Sequence, residues 1–173
     1  MRAIVGQQIS VAGATTLAAR LVERWGAPLK RTGVAGLTHL FPAPADLARA
    51  RIEDVGLPRS RADAIRSLST AVATGALELG DRRDDHADDE TVAALLEIPG
   101  IGPWTAGYVA LRGLGLRDAI PVSDLGLRQA LGRDGEALSA TAVANIAERW
   151  RPFRGLAATH LWTGLILDPP RQD

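Results

Sequence analysis

The segment that most constrains this chain is Ile98-Pro99-Gly100-Ile101-Gly102-Pro103. Pro99 cannot continue an incoming helix, and the two glycines permit backbone angles and close approaches that a side chain would block. Pro103 suits the first position of a new helix, where its missing N–H costs nothing. The pattern therefore predicts two helices joined by a tight hairpin.

The start of the second hairpin helix is a predicted anion site. Backbone N–H groups at a helix start have no partner within the helix, and the positive end of the helix dipole lies behind them. The candidate donors are the N–H groups of Gly100, Gly102 and Thr105. A phosphate is the expected anion.

The chain as a whole is predicted to be all-α, because its apolar residues follow helical spacing, alanine is frequent and β-branched runs are scarce. Short turns join the helices, and the tail Pro169–Asp173 is expected to fray. The predicted helices are Arg2 to about Gln8, Val11 to about Trp25, Pro44 to Arg49, Pro58 or Ser60 to Gly75, one capped by Asp89, Pro103 to Arg112, one capped by Ser123 that ends near Leu131, one capped by Ser139 that ends at Trp150, and Pro152 to about Leu167.

Composition excludes several kinds of site. The sequence contains no cysteine, which removes disulfides and thiolate-bound metals, and its three histidines are scattered. Net charge is zero, yet residues 81–90 hold six acids against two arginines, so the rest of the chain carries +4. We interpret this acidic run as a solvated surface loop that leads into a helix.

Asp124 is the candidate catalytic carboxylate. Asp124 could simply cap a helix or serve as a first-turn acid, which needs no function. Two features favour a functional role: Ser123 is expected to be the cap, and Pro121 stiffens the preceding loop. A place in the first turn of a helix also suits a negative charge.

Two aromatic residues are expected to share a helix face near this carboxylate. Trp104 and Tyr108 are four residues apart on the second hairpin helix. On pattern alone, core packing explains them better than a binding pocket does.

Together these motifs resemble the helix-hairpin-helix (HhH-GPD) DNA glycosylase superfamily, and within it the 3-methyladenine DNA glycosylase II, or alkyl-purine, type. The likeness covers most of the chain, and the segments that carry it are Ala3–Ser10, Phe41–Pro44, Ile98–Ala106, Tyr108–Gly113, Asp124 and Trp150–Trp162. The resemblance implies one all-α glycosylase domain over residues 1–173, with an active-site cleft between two lobes. Lobe one would span about 1–116, including the hairpin at 95–106, and lobe two about 117–173. Lobe two is expected to be incomplete, because relatives carry further chain upstream.

The resemblance implies base-excision repair by hydrolysis of the N-glycosidic bond of alkylated purines, 3-methyladenine and 7-methylguanine. Asp124 would stabilise the cationic sugar, and Trp104, Tyr108 and Trp162 would form the base pocket. Relatives that also cut the strand have a lysine where Trp104 stands, so we expect a monofunctional enzyme without a redox cofactor.

Three further features are implied by the resemblance alone. Gln8 would be the wedge that fills the gap left by a flipped base, although both glutamines of this segment could instead shape the turn before Ser10. The backbone carbonyls of Leu96, Ile98 and Gly100 would hold a monovalent cation. The partner would be double-stranded DNA, bound by a monomer in the cytoplasm, at the nucleoid and away from membranes.

Two rival functions remain. One is a monofunctional glycosylase for mismatched, deaminated or oxidised bases. The other is a helix-hairpin-helix DNA-binding module without catalysis. The hairpin fits both an enzyme and a binding module, whereas Asp124 with Trp104 and Tyr108 favours an enzyme.

Overall fold

The computed structural model of the chain describes residues 1–30, 33–79, 85–133 and 135–167. Across these ranges the regular structure is helical, apart from two isolated β-bridges that join Pro28 to His39 and Arg133 to Glu136. The predicted all-α class is confirmed. None of the helices in the described ranges is long and apolar enough to cross a membrane.

The α-helices, numbered in chain order, are joined by turns and two short 3-10 segments at Ile52–Val55 and Glu148–Trp150. Their bounds are α1 Arg2–Val5, α2 Val11–Trp25, α3 Pro44–Arg49, α4 Arg59–Ala73, α5 Asp85–Leu96, α6 Pro103–Gly113, α7 Leu125–Ala130, α8 Ala140–Ala147 and α9 Arg154–Leu167.

Helix starts marked by serine or proline agree with the sequence prediction. Ser10 caps α2 and Ser139 caps α8, each by accepting a hydrogen bond from a backbone N–H three residues on. Pro44 and Pro103 occupy the first turns of α3 and α6. These signals act within one turn of the chain, which is why the sequence alone locates them.

Four predicted helix bounds were wrong in addition to the start of α7, which lies at the candidate site. Helix α1 ends at Val5 rather than near Gln8, because Gln8 adopts a φ of 55°, which no right-handed helix accommodates. Helix α5 begins at Asp85, so Asp89 lies inside it and is not its cap. Helix α8 ends at Ala147 and gives way to the 3-10 turn at Trp150. Helix α9 begins at Arg154 rather than at Pro152.

Two sequence predictions fall wholly or partly outside the described residues. The tail 169–173 lies outside them, as does the part of the acidic run at 81–84. The remainder of that run, residues 85–90, belongs to helix α5.

The chain divides into two compact units. The first comprises Met1–Leu79 and Ala93–Ile101, and the second comprises Gly80–Val92 and Gly102–Asp173. The predicted lobe boundary near residue 116 lies within the second unit, and the division into lobes stays a prediction.

In the first unit the hairpin packs directly on helix α4. Gly100 adopts a φ of 86°, and a Cβ atom at this position would lie 2.7 Å from the Cβ of Ala64. The Gln7 side-chain amide donates a hydrogen bond of 3.3 Å to the Gly100 carbonyl. Glycine is therefore required at position 100 by both the backbone angle and the packing.

We predict that Gly100→Ala destabilises the protein by about 2–4 kcal/mol, because a left-handed alanine and an overpacked contact each cost energy. Chemical denaturation followed by circular dichroism measures the loss. Gly102→Ala is the matched control, since Gly102 has a φ of −91° and an added Cβ would meet no residue beyond its chain neighbours within 4 Å. Equal stability of the two variants would contradict this account of the hairpin.

Candidate active site

Asp124 is the N-cap of helix α7. Its backbone is extended, with φ −61° and ψ 127°, and its Oδ1 accepts a hydrogen bond of 3.0 Å from the Leu127 N–H. The prediction that Ser123 caps this helix was wrong. The turn closed by the Asp124 N–H on the Pro121 carbonyl, at 2.8 Å, brings Asp124 to the capping position instead.

Two tryptophans donate hydrogen bonds to the same carboxylate. The Trp104 indole N–H, in the first turn of α6, donates to Oδ2 at 2.7 Å. The Trp162 indole N–H, in α9, donates to Oδ1 at 2.8 Å. With the Leu127 N–H, three donors from three helices converge on Asp124, and an ionised carboxylate is a purely accepting group. Asp124 is thus more than a helix cap.

Tyr108 completes the group, which we call the aromatic–carboxylate cluster: Trp104, Tyr108, Asp124 and Trp162. The ring of Tyr108 stacks on Trp104 with centroids 5.3 Å apart and lies 5.8 Å from Trp162 at a tilt of 47°. All four side chains are half-buried, so part of each remains accessible. The structure therefore brings together the predicted catalytic carboxylate and the three predicted pocket aromatics.

Gly126 makes room for this arrangement, and the sequence analysis missed it. A Cβ atom at position 126 would lie 3.1 Å from Asp124 Oδ1 and 3.5 Å from Trp162 Cδ1. Leu165 Cδ1 would lie at 3.3 Å. A glycine in the first turn of a helix is the sequence signal that could have marked it.

The loop before Asp124 is fastened to the start of helix α9, which sequence reasoning also missed. Asp118 accepts hydrogen bonds from the backbone N–H, Nε and Nη2 of Arg154, at 3.2, 2.9 and 2.8 Å. Arg151 adds a bond of 2.8 Å. On the other side of the loop, Pro121 packs so closely on Gly107 of α6 that a Cβ there would lie 3.1 Å from the proline Cα.

These contacts set the charge state of Asp118. Partial burial raises the pKa of Asp118, but the hydrogen bonds from Arg154 and the charges of Arg154 and Arg151 outweigh it, so the pKa lies below its ordinary value. Asp118 therefore remains ionised at neutral pH and holds the loop to α9.

The remaining predicted site residues lie outside the aromatic–carboxylate cluster. Gly102 is exposed at the cap of α6, while the side chain of Thr105 is buried. Gln8 is exposed in the turn after α1, within the first unit.

The carbonyls predicted to bind a cation also lie in the first unit. The carbonyl of Ile98 accepts from the Ile101 N–H at 3.0 Å, and the carbonyl of Gly100 accepts from Gln7. Among the described residues, no three histidine, aspartate or glutamate side chains gather as metal ligands would.

A helical hairpin followed by a carboxylate set among aromatic rings defines the class of helix-hairpin-helix DNA repair proteins. The chain belongs to the HhH-GPD superfamily of base excision DNA repair proteins, whose family match covers residues 1–153. The predicted family is confirmed.

Two curated relatives carry names that match this family. DNA-3-methyladenine glycosylase 2 of Escherichia coli is 33% identical over 165 residues, which is 94% of this chain and 55% of that protein. A probable bifunctional transcriptional activator/DNA repair enzyme AlkA of Mycobacterium tuberculosis is 40% identical over 95% of this chain and 32% of its own length. The chain thus spans about a third to just over half of these two curated relatives.

Among solved structures, a 3-methyladenine DNA glycosylase from Archaeoglobus fulgidus matches with a TM-score of 0.80 and 30% identity. The match covers 98% of this chain and 58% of that one. A Schizosaccharomyces pombe 3-methyladenine DNA glycosylase, solved with abasic DNA, shares the fold with a TM-score of 0.78 and 23% identity, over 99% of this chain and 81% of its own.

We predict that Asp118→Asn lowers stability at neutral pH by about 2 kcal/mol, the size expected when hydrogen bonds to a charged group are lost. The pKa of Asp118 is depressed in the folded protein. Its contribution to the free energy of unfolding is therefore fully present above the unfolded pKa of about 4, and it is lost as the pH falls through the folded pKa. The difference between variant and wild type should therefore shrink below about pH 4.

Thermal unfolding at pH 7 and at pH 3 measures this effect. Asp63→Asn is the control, because Asp63 pairs with Arg66 while its side chain is 54% exposed, and it should change stability little. A difference between Asp118→Asn and wild type that is the same at both pH values would contradict the ionic role of Asp118.

Proposed function

We propose that the chain is a monofunctional base-excision glycosylase that hydrolyses the N-glycosidic bond of alkylated purines, 3-methyladenine and 7-methylguanine, in double-stranded DNA. The observation that carries the proposal is the aromatic–carboxylate cluster, in which Asp124 lies among three partly exposed rings. The names of the Escherichia coli and Archaeoglobus fulgidus relatives support the same substrate class.

Asp124 would act on the sugar. As the bond from C1′ to the base nitrogen breaks, its electron pair leaves with the purine and the deoxyribose becomes cation-like, as in glycoside hydrolysis. A fixed carboxylate beside C1′ stabilises this charge where it develops. Water then adds to C1′ and loses a proton, which leaves an abasic sugar and a free base.

The three rings would hold the base. Alkylation at N3 or N7 leaves the purine positively charged, and the electron-rich faces of Trp104, Tyr108 and Trp162 attract a cation as well as stack on a planar ring. The base must leave the duplex to reach them. Gln8, exposed and held at a φ of 55°, is our candidate for the residue that fills the gap.

Strand cleavage through a lysine is not part of the proposal. The family resemblance puts Trp104 where relatives that cut the strand have a lysine, and the sole lysine of the sequence, Lys30, is far from it in sequence. Water, rather than an enzyme lysine, would therefore attack C1′. A hydrolysis needs no redox cofactor.

The hairpin would bind the DNA backbone. Apart from its two chain neighbours, no residue lies within 4 Å of a Cβ placed at Gly102, so the space that glycine leaves at this exposed helix start is available to a phosphate. Gly100 and Thr105 are the other candidate amide donors. The carbonyls of Leu96, Ile98 and Gly100 suit a monovalent cation, because a carbonyl with one donor keeps a second lone pair. We further propose that the protein acts as a monomer in the cytoplasm, on nucleoid DNA.

Asp124→Asn is expected to reduce base release from 7-methylguanine duplexes by about 100-fold or more, because it removes the charge that stabilises the sugar cation. Single-turnover assays measure the rate, and a gel-shift titration should show that DNA binding survives. Asp46→Asn, which changes an exposed first-turn acid of α3, should keep the wild-type rate. A wild-type rate for Asp124→Asn would refute the mechanism.

Trp104→Ala is expected to slow the release of cationic 7-methylguanine more than that of neutral hypoxanthine, since cation–π attraction distinguishes charged from neutral bases. The ratio of the two single-turnover rates, compared with the wild-type ratio, is the measurement. An unchanged ratio would mean that the ring contributes shape but no attraction for charge.

Gly102→Ala tests the phosphate site. The added methyl group has space in the free protein, so the variant should fold with little loss of stability and yet bind DNA more weakly, by about tenfold for one or two lost contacts of about 1 kcal/mol each. Fluorescence anisotropy with an abasic duplex gives the affinity. Wild-type affinity would show that the phosphate does not approach this glycine.

A further inference from the structure

The tryptophans of the cluster use their edges as well as their faces. Stacking on a base requires only the ring faces, which phenylalanine or tyrosine could also provide. Yet the indole N–H groups of both Trp104 and Trp162 point at the carboxylate, one at each oxygen. Tryptophan thus supplies at both positions a hydrogen-bond donor that a stacking role does not require.

We propose that Trp104 and Trp162 are positioning residues for Asp124, whose indole N–H groups fix the orientation of its carboxylate for the sugar cation. This inference rests on the proposed function, because it assigns the tryptophans a task that only a working Asp124 would need. It differs from the pocket role, since it concerns the N–H groups rather than the ring faces.

Three hydrogen-bond donors hold the two carboxylate oxygens. Trp104 holds Oδ2 from helix α6, while Trp162 and the Leu127 N–H hold Oδ1 from helices α9 and α7. Rotation about the bond to the carboxyl carbon would break at least one of these bonds. A group already oriented before the reaction needs no reorganisation as charge develops, which is the condition under which electrostatic stabilisation is most effective.

The arrangement also specifies a carboxylate. Two indole N–H groups require two acceptors, and an ionised aspartate offers one on each oxygen. Asparagine at position 124 would offer one oxygen and one NH₂ group, so one indole N–H would face another donor. Gly126 leaves space on the Oδ1 side, because a Cβ there would lie only 3.1 Å from Asp124 Oδ1.

The test uses Trp104→Phe and Trp162→Phe, which keep an aromatic ring and remove the N–H. Each variant should lose about tenfold or more in the single-turnover rate, the size expected for one hydrogen bond to a charged group. The loss should appear with neutral hypoxanthine as well as with 7-methylguanine, and the affinity for abasic DNA should not change. Trp150→Phe, outside the cluster but in the same unit, should keep the wild-type rate.

Nuclear magnetic resonance gives a readout independent of turnover. The sequence contains four tryptophans, and their indole N–H signals are assigned from the single substitutions. Asp124→Asn should move the signals of Trp104 and Trp162 and leave those of Trp25 and Trp150 in place. This pattern also establishes that the variant is folded.

The outcomes separate the two proposals. A wild-type rate for Asp124→Asn would refute the proposed function and this inference together. If Asp124→Asn is inactive while both phenylalanine variants keep the wild-type rate, only the positioning role is refuted. A loss confined to the cationic base would also refute it, because that result assigns the tryptophans to stacking alone.

A double-substitution cycle completes the test. If the indoles act through Asp124, then Trp104→Phe should cause no further loss when it is added to Asp124→Asn. A further tenfold loss in that background would show that the indole acts independently of the carboxylate, and would overturn the proposal.

Discussion

The hydrogen bonds to the Asp124 carboxylate connect the parts of the second unit on which the site depends. Helices α6, α7 and α9 each contribute one donor, so the position of any one of them affects the carboxylate. Contacts of neighbouring residues also help to hold the Asp124 carboxylate in place. Asp118 ties the preceding loop to the start of α9, and Gly126 leaves space beside Oδ1 of Asp124. The chemistry we propose needs a charge of fixed orientation, and these contacts supply it.

Much of the fold could be predicted from the sequence because its signals are local. Ser10 and Ser139 cap helices within one turn, and the prolines at positions 44 and 103 open helices that the structure confirms. The wrong start of helix α9 lies where a tertiary contact takes part. Helix α9 starts at Arg154 because Asp118, 36 residues earlier, accepts its backbone N–H. No pattern within one turn carries that information.

For the site too, the sequence predicted residues that share one helix but not the contacts between helices. Spacing placed Trp104 and Tyr108 on one helix face, and the structure stacks their rings. The Trp162 position was inferred from family resemblance, and the structure brings it to the same cluster. The bonds from the two indoles to Asp124 span 20 and 38 residues, so their existence depends on how three helices pack. Asp124 caps α7 in place of the expected Ser123, because the turn closed on the Pro121 carbonyl brings Asp124 to that position.

The central claim is that Asp124 stabilises positive charge at the sugar, and the most direct measurement compares two abasic analogues in the same duplex. One carries a cationic pyrrolidine ring in place of the deoxyribose, and the other carries a neutral tetrahydrofuran ring. The wild-type chain should bind the cationic analogue at least about tenfold more tightly, as expected for a site complementary to the transition state. Asp124→Asn should abolish that preference while retaining its affinity for the neutral analogue. Equal binding of both analogues by the wild-type chain would contradict the account.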